Sequence, residues 1–169
     1  MIKFKNNPKD LWDFEFWIGK NKLSLEIHNH ESEFIDFNSQ EEFVNWLNTL
    51  NDFSFDNDKE KQEFILYCKV FGTKAFKNNL SKVNFYYKNK PYKEINVYID
   101  KSDGDVILKF GDISLKLKYI KFENFLNKLK EAILSKKLLT VENFKFNNLR
   151  DLEDFYCTIV VEFKKKQVI

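Results

Sequence analysis

The residues with the widest chemical repertoire are few. His28 and His30 are the only histidines. With Glu31, Glu33 or Asp36 nearby they offer the imidazole and carboxylate donors of a divalent-metal site. Two imidazoles make a weak donor set, and a polar connection after a strand accounts for both, so no metal is expected. Cys68 and Cys157 each lie inside an apolar run, where a thiolate is disfavoured and cysteine behaves as a small hydrophobe. Asp100-Lys101-Ser102-Asp103-Gly104-Asp105 has acids in the manner of a calcium loop, but lacks the alternating oxygen ligands and the bidentate Glu. Asp-Gly between two alternating segments is instead a hairpin turn, which needs a residue at ease at positive φ. The four glycines are scattered and form neither a phosphate-cradling loop nor a nucleophile elbow. No catalytic residue and no cofactor is therefore expected. Paired carboxylates are invisible in sequence, so a carboxylate-dependent hydrolase is kept as the third reading.

A second kind of chemistry is recognition. Phe85-Tyr86-Tyr87-Lys88-Asn89-Lys90-Pro91-Tyr92-Lys93 interleaves aromatic rings with ammonium groups, a pairing that suits stacking on unpaired bases beside phosphates. The same rings suit docking to a protein, where Tyr and Trp serve as anchors. Tyr86, Tyr87, Lys88, Lys90, Tyr92 and Lys93, together with Trp12, are the candidate partner-binding residues. Trp17 is expected in the core. The plainer alternative is an exposed hairpin turning at Asn89-Lys90-Pro91, with its Tyr rings half-buried at the base. Arg150 is the only arginine, so the chain can make at most one bidentate guanidinium contact. That weakens nucleic-acid recognition.

Composition bounds the rest. The 169 residues are 43% hydrophobic and include 19 Phe, enough to bury a core without disulfides or metal. The abundance of Lys, Asn, Phe and Ile matches the codon bias of an AT-rich genome. No signal peptide and no membrane-length apolar run is visible, and two Cys are no disulfide framework, so a cytoplasmic setting is expected. Charge is unevenly spread. Residues 10–63 hold 14 Asp/Glu against 4 Lys, whereas residues 64–140 hold 16 Lys against 7 Asp/Glu. Such a split suits two faces offered to different partners, or halves that attract each other.

The elements that must position these residues follow from periodicity. Phe14, Phe16 and Ile18 alternate, as do Leu23, Leu25 and Ile27, with Gly19-Lys20-Asn21 as the turn between them. Ile95, Val97 and Ile99, then Val106, Leu108 and Phe110, then Ile113, Leu115 and Leu117 predict three further strands. Ser39 with Glu42 makes a capping box ahead of a stripe of Phe43, Trp46, Leu47 and Leu50. Phe122, Phe125, Leu126, Leu129 and Ile133 form a matching stripe. A helix is expected from about 58 to 71, and a strand over Cys157–Phe163, where β-branched residues crowd.

The halves also resemble each other. FSFDNDKEKQEFILYC at 53–68 and FKFNNLRDLEDFYC at 144–157 share Phe-x-Phe, an Asn-containing acid stretch and a closing Tyr-Cys. Their upstream helices correspond as well. This predicts an internal duplication of a ββα-like unit within a single domain of residues 1–169, with repeats at about 10–80 and 92–165. The fold expected is α+β, an antiparallel sheet with helices packed on one face. The function expected is non-catalytic protein binding, as a small stoichiometric inhibitor or an immunity or anti-defence protein of a phage or mobile element. Its partner would be a toxin or host-defence component. A single-stranded nucleic-acid binder using the basic second half is the alternative, and no membrane is expected among the partners.

Overall fold

A computed structural model describes residues 2–4, 7–11, 13–19, 22–28, 32–49, 53–54, 57–74 and 82–167. The fold is α+β, as the alternating strands and amphipathic stripes predict. The chain divides into two compact units, Met1–Lys77 and Asn78–Gln167.

The first unit opens with β1 (Ile2–Phe4) and β2 (Asn7–Leu11), an antiparallel pair. The meander β3 (Asp13–Gly19), β4 (Lys22–His28) and β5 (Ser32–Phe37) follows. Alternation sends Phe16, Ile18, Leu23, Leu25 and Phe37 inward, all buried. Next come α1 (Gln40–Thr49), β6 (Phe53–Ser54) and α2 (Asp58–Lys74). The capping box forms at α1: the Glu42 N–H donates to Ser39 Oγ at 3.2 Å, while Glu42 Oε2 accepts from the Asn38 N–H at 2.7 Å. Both helices lay Phe rings on the inner sheet face. Phe71 of α2 stacks on Phe16 at 4.7 Å, and Phe43 of α1 meets Phe16 and Phe37 edge-on at 5.6 and 5.2 Å.

The second unit runs through a similar order of elements, with one more short strand between its two helices. The hairpin β7 (Lys82–Tyr87) and β8 (Lys90–Glu94) precedes the meander β9 (Asn96–Ile99), β10 (Val106–Phe110) and β11 (Ile113–Leu117). Then follow α3 (Tyr119–Ser135), β12 (Thr140–Val141), β13 (Phe144–Lys145) and α4 (Leu149–Gln167). In each unit the short strand opening on the Phe-x-Phe piece returns to the first strand of the hairpin: Phe53 lies opposite Phe4, and Phe144 opposite Tyr87. The core gathers Phe85, Phe110, Phe122, Phe125, Phe144, Phe146 and Phe155, each at most 2% exposed.

Two local expectations are corrected. Cys157–Phe163 is helix rather than strand. Phe155 to Val161 are seven consecutive buried residues, so α4 is enclosed on all sides there and its apolar run carries no period. Burial in a helix already started by Asn148, whose Oδ1 accepts from the Asp151 N–H at 2.9 Å, overrides β-branched propensity. Both Tyr-Cys pieces are thus helical, Cys68 in α2 and Cys157 in α4. The hairpin turn is Lys88-Asn89, not Asn89-Lys90-Pro91. Both residues have positive φ, +48 and +67, which is the type I′ geometry matched to strand twist. Pro91 sits within β8, and β8 is an edge strand, where a missing N–H is tolerated.

Truncating Phe155 removes a ring in contact with Phe85, Phe144 and Phe146 at 5.0 to 5.2 Å. Phe155→Ala is expected to cost about 3–5 kcal/mol, read from the urea midpoint followed by circular dichroism. A loss below about 1 kcal/mol would mean the ring is not buried as described.

Candidate functional site

The basic aromatic segment does not form one surface. Tyr87 is buried, its ring 4.9 Å from Phe144 and 5.1 Å from Phe110. Tyr92 is half-buried and stacks on Phe85 at 5.6 Å, with its edge contact on Phe110 at 5.0 Å. Gly111 makes room for that ring. It stands at φ +55, and a Cβ there would meet Tyr92 Cε1 at 2.9 Å. Only Tyr86, half-buried opposite Pro91, remains beside the exposed Lys88, Lys90 and Lys93. The Lys88 N–H donates to the Asn143 carbonyl at 3.0 Å, and its ammonium lies 5.6 Å from the centre of the Tyr87 ring.

Trp12 and His30 lie outside the described residues. His28 pairs in β4 with Asp13 and Ser32. Among the described residues no group of three or more His, Cys, Asp or Glu is placed to hold a metal ion. Trp17 is not a core residue. It is half-buried on the outward face of its sheet, where Nε1 donates to Glu26 Oε2 at 2.9 Å. Cys68 is buried, and burial pushes its thiol up to about 12, far from a nucleophilic thiolate at neutral pH.

A different surface of the second unit gathers rings and charge in a concave place. A groove of about 510 Å³ is lined by Tyr98 and Ile99 of β9, the turn residues Asp100, Lys101 and Gly104, and Tyr119 of α3. Phe163, Lys166 and Gln167 of α4 complete it. Tyr98 and Tyr119 stay 43% and 46% exposed, and the neighbouring Ile120 67%. The Lys166 ammonium lies over the Tyr98 ring at 5.3 Å, a cation–π contact, and Tyr119 tilts against Phe163 at 6.0 Å. Sequence reasoning missed these residues. Tyr98 reads only as the outward position of a strand, and Phe163 and Lys166 reach the groove only because α4 is a helix.

The wall beside the groove is a turn whose three aspartates face one lysine. Asp100 Oδ1 accepts from the Ser102 hydroxyl at 2.6 Å and the Ser102 N–H at 3.0 Å. The Asp105 N–H donates to Asp103 Oδ1 at 3.0 Å. Lys116 spans the turn, its Nζ 3.1 Å from Asp100 and 3.0 Å from Asp103. The Ser102 hydroxyl and amide, then Lys116, bring the Asp100 carboxyl down to about 2. The two aspartates in turn hold the Lys116 ammonium above its ordinary range.

The Asp100 carboxyl is held below its unfolded value of about 3.9, so its contribution to stability is present above that pH. It is lost as pH falls toward the folded value of about 2. Ser102→Ala is expected to move the Asp100 titration upward, and Lys116→Met to move Asp100 and Asp103 together, both read by carbon NMR of the carboxyls. An unmoved Asp100 midpoint in both variants would contradict this bonding. Comparison with protein-family models, with curated proteins and with solved structures finds no match to this chain.

Proposed function

We propose that the protein is a non-catalytic protein-binding domain, a small stoichiometric inhibitor or an immunity or anti-defence protein of a phage or mobile element, acting in the cytoplasm. The single observation that carries the binding role is the groove lined by the rings of Tyr98, Tyr119 and Phe163, with Lys166 over Tyr98. Rigid aromatic rings at a concave surface give large contact area at low entropic cost, the usual make-up of an interface anchor. The choice of a toxin or host-defence component as partner rests on analogy with small proteins encoded by AT-rich mobile elements. The similar order of elements in the two units, which differ by the added β12, and the Phe-x-Phe pieces in matching places support descent from a duplicated segment.

The second reading, single-stranded nucleic-acid binding, is favoured by Lys88, Lys90 and Lys93, which stand exposed around one tight turn. It is weakened by the commitment of Tyr87 and Tyr92 to packing, which takes those rings away from bases.

Affinity capture from the lysate of the native host, with and without nuclease and at two salt concentrations, separates the readings. The binder reading expects one protein in fixed ratio that survives nuclease. It expects that protein to be lost from the Tyr98→Ala/Tyr119→Ala variant and kept when lysines 88, 90 and 93 become Gln. Capture that needs nucleic acid, collapses with salt and follows those lysines would establish the alternative instead.

A further inference from the structure

We infer that the groove of the second unit takes an acidic peptide segment carrying an aromatic or branched apolar side chain. This rests on the docking role proposed above and adds the chemistry of the partner. The floor is apolar, made by Ile99 and the rings of Tyr98, Tyr119 and Phe163, and its volume of about 510 Å³ admits a side chain with its flanking backbone. The rim is cationic. Lys101 and Lys166 line it, and Lys118, the N-cap of α3, and Lys121 in its first turn bracket Tyr119 in the sequence.

Asp100, the only carboxylate in the lining, shares Lys116 with Asp103 and Asp105, and the acidic charge left over is outnumbered by Lys101, Lys118, Lys121 and Lys166, so the surface stays cationic. The first turn of α3 adds potential of the same sign, having no acidic residue and no side-chain cap. A partner complementary to this surface brings an apolar anchor to the floor and carboxylates to the rim. Charge then steers approach while the anchor holds it.

The same charge would attract a nucleic-acid strand, but the rings are poorly disposed for one. The Lys166 ammonium lies over one face of Tyr98 at 5.3 Å, and Tyr119 leans against Phe163 at 32° instead of presenting a parallel platform. Asp100 and Asp103 also stand in the wall, where a continuous phosphodiester backbone would meet their charge. A peptide can space its carboxylates to avoid them.

The test uses the full chain, isotope-labelled for NMR, and four probes. The first is a short synthetic peptide of Glu and Asp containing one Trp and one Leu. The second carries Lys in place of the acids, the third Ala in place of Trp and Leu, and the fourth is oligothymidylate. The acidic aromatic peptide is expected to shift the amides of residues 98–101, 119 and 163–166. It should bind at least about tenfold more tightly than the Lys or Ala version and weaken as salt is added. Tyr98→Ala and Lys166→Glu should each weaken it about tenfold. Lys101→Glu, in an exposed turn, repeats the charge test without touching the floor.

Absence of shifts at the groove, equal binding of the Lys or Ala version, or stronger shifts from oligothymidylate would each overturn the inference. A natural partner whose capture needs Tyr98 and Tyr119 but whose docking segment is basic would also overturn it, while leaving the docking role intact. Capture indifferent to Tyr98 and Tyr119 would remove both.

Discussion

The ring of Phe144 is the point on which the second unit turns. It lies 4.9 Å from Tyr87, 5.2 Å from Phe125 and Phe155, and less than 6 Å from Phe85 and Phe110. These five neighbours come from the hairpin, the meander and both long helices. The strand that carries Phe144 is two residues long, too short for its ladder bonds to fix its place. Ring packing does so, at roughly 0.5–1.5 kcal/mol per aromatic pair beyond the area buried. The groove inherits its geometry from this packing, because α3 and α4, which supply Tyr119 and Phe163, are both seated on the same cluster.

Much of the scaffold was legible before any coordinates. Leu23, Leu25 and Ile27 alternate because one side of the strand faces a core, and period two is the direct record of that. The capping box at Ser39 and the stripe from Phe122 to Ile133 are equally local signals. The strand Ser32–Phe37 is hidden in the sequence, although Ile35 and Phe37 alternate within it, because Phe34, 61% exposed on the outward face, breaks the pattern. α4 is concealed for a deeper reason. Its middle, Phe155–Val161, is buried on every side, so those seven residues carry no polar face and no 3.6-residue rhythm, and Ile159-Val160-Val161 then argues for a strand. The groove was illegible altogether. Its residues come from a strand, a turn and the facing ends of two helices, and nothing short of the packing brings them together.

The two units also show what the fold constrains and what it leaves open. In each meander one column runs outward across all three strands: Trp17, Ser24 and Asp36 in the first, Tyr98, Ile107 and Lys116 in the second. An aromatic residue begins both, but the residue at the far edge reverses charge, and Lys22 pairs Asp36 where Asp100 and Asp103 pair Lys116. The inward residues Phe16, Ile18, Leu23, Leu25 and Phe37 of the first meander and Val97, Val106, Leu108 and Phe110 of the second are apolar and buried, since a polar group there would lose its hydration uncompensated. Outward positions are free to take either sign. The divergence of the halves in charge therefore lies where it costs the fold least.

The pairing of β13 with β7 bears on how the chain reaches this state. Tyr87 and Phe144 are opposite one another yet far apart in sequence, so their meeting closes a long loop before either gains its neighbours. The hairpins and α3 need only local contacts and can form in microseconds. The closing step is non-local, and its entropic cost precedes the ring contacts that offset it, which makes it slower than the local steps. Until Phe144 arrives, its aromatic neighbours lack their shared partner, and exposed apolar surface of that kind favours aggregation.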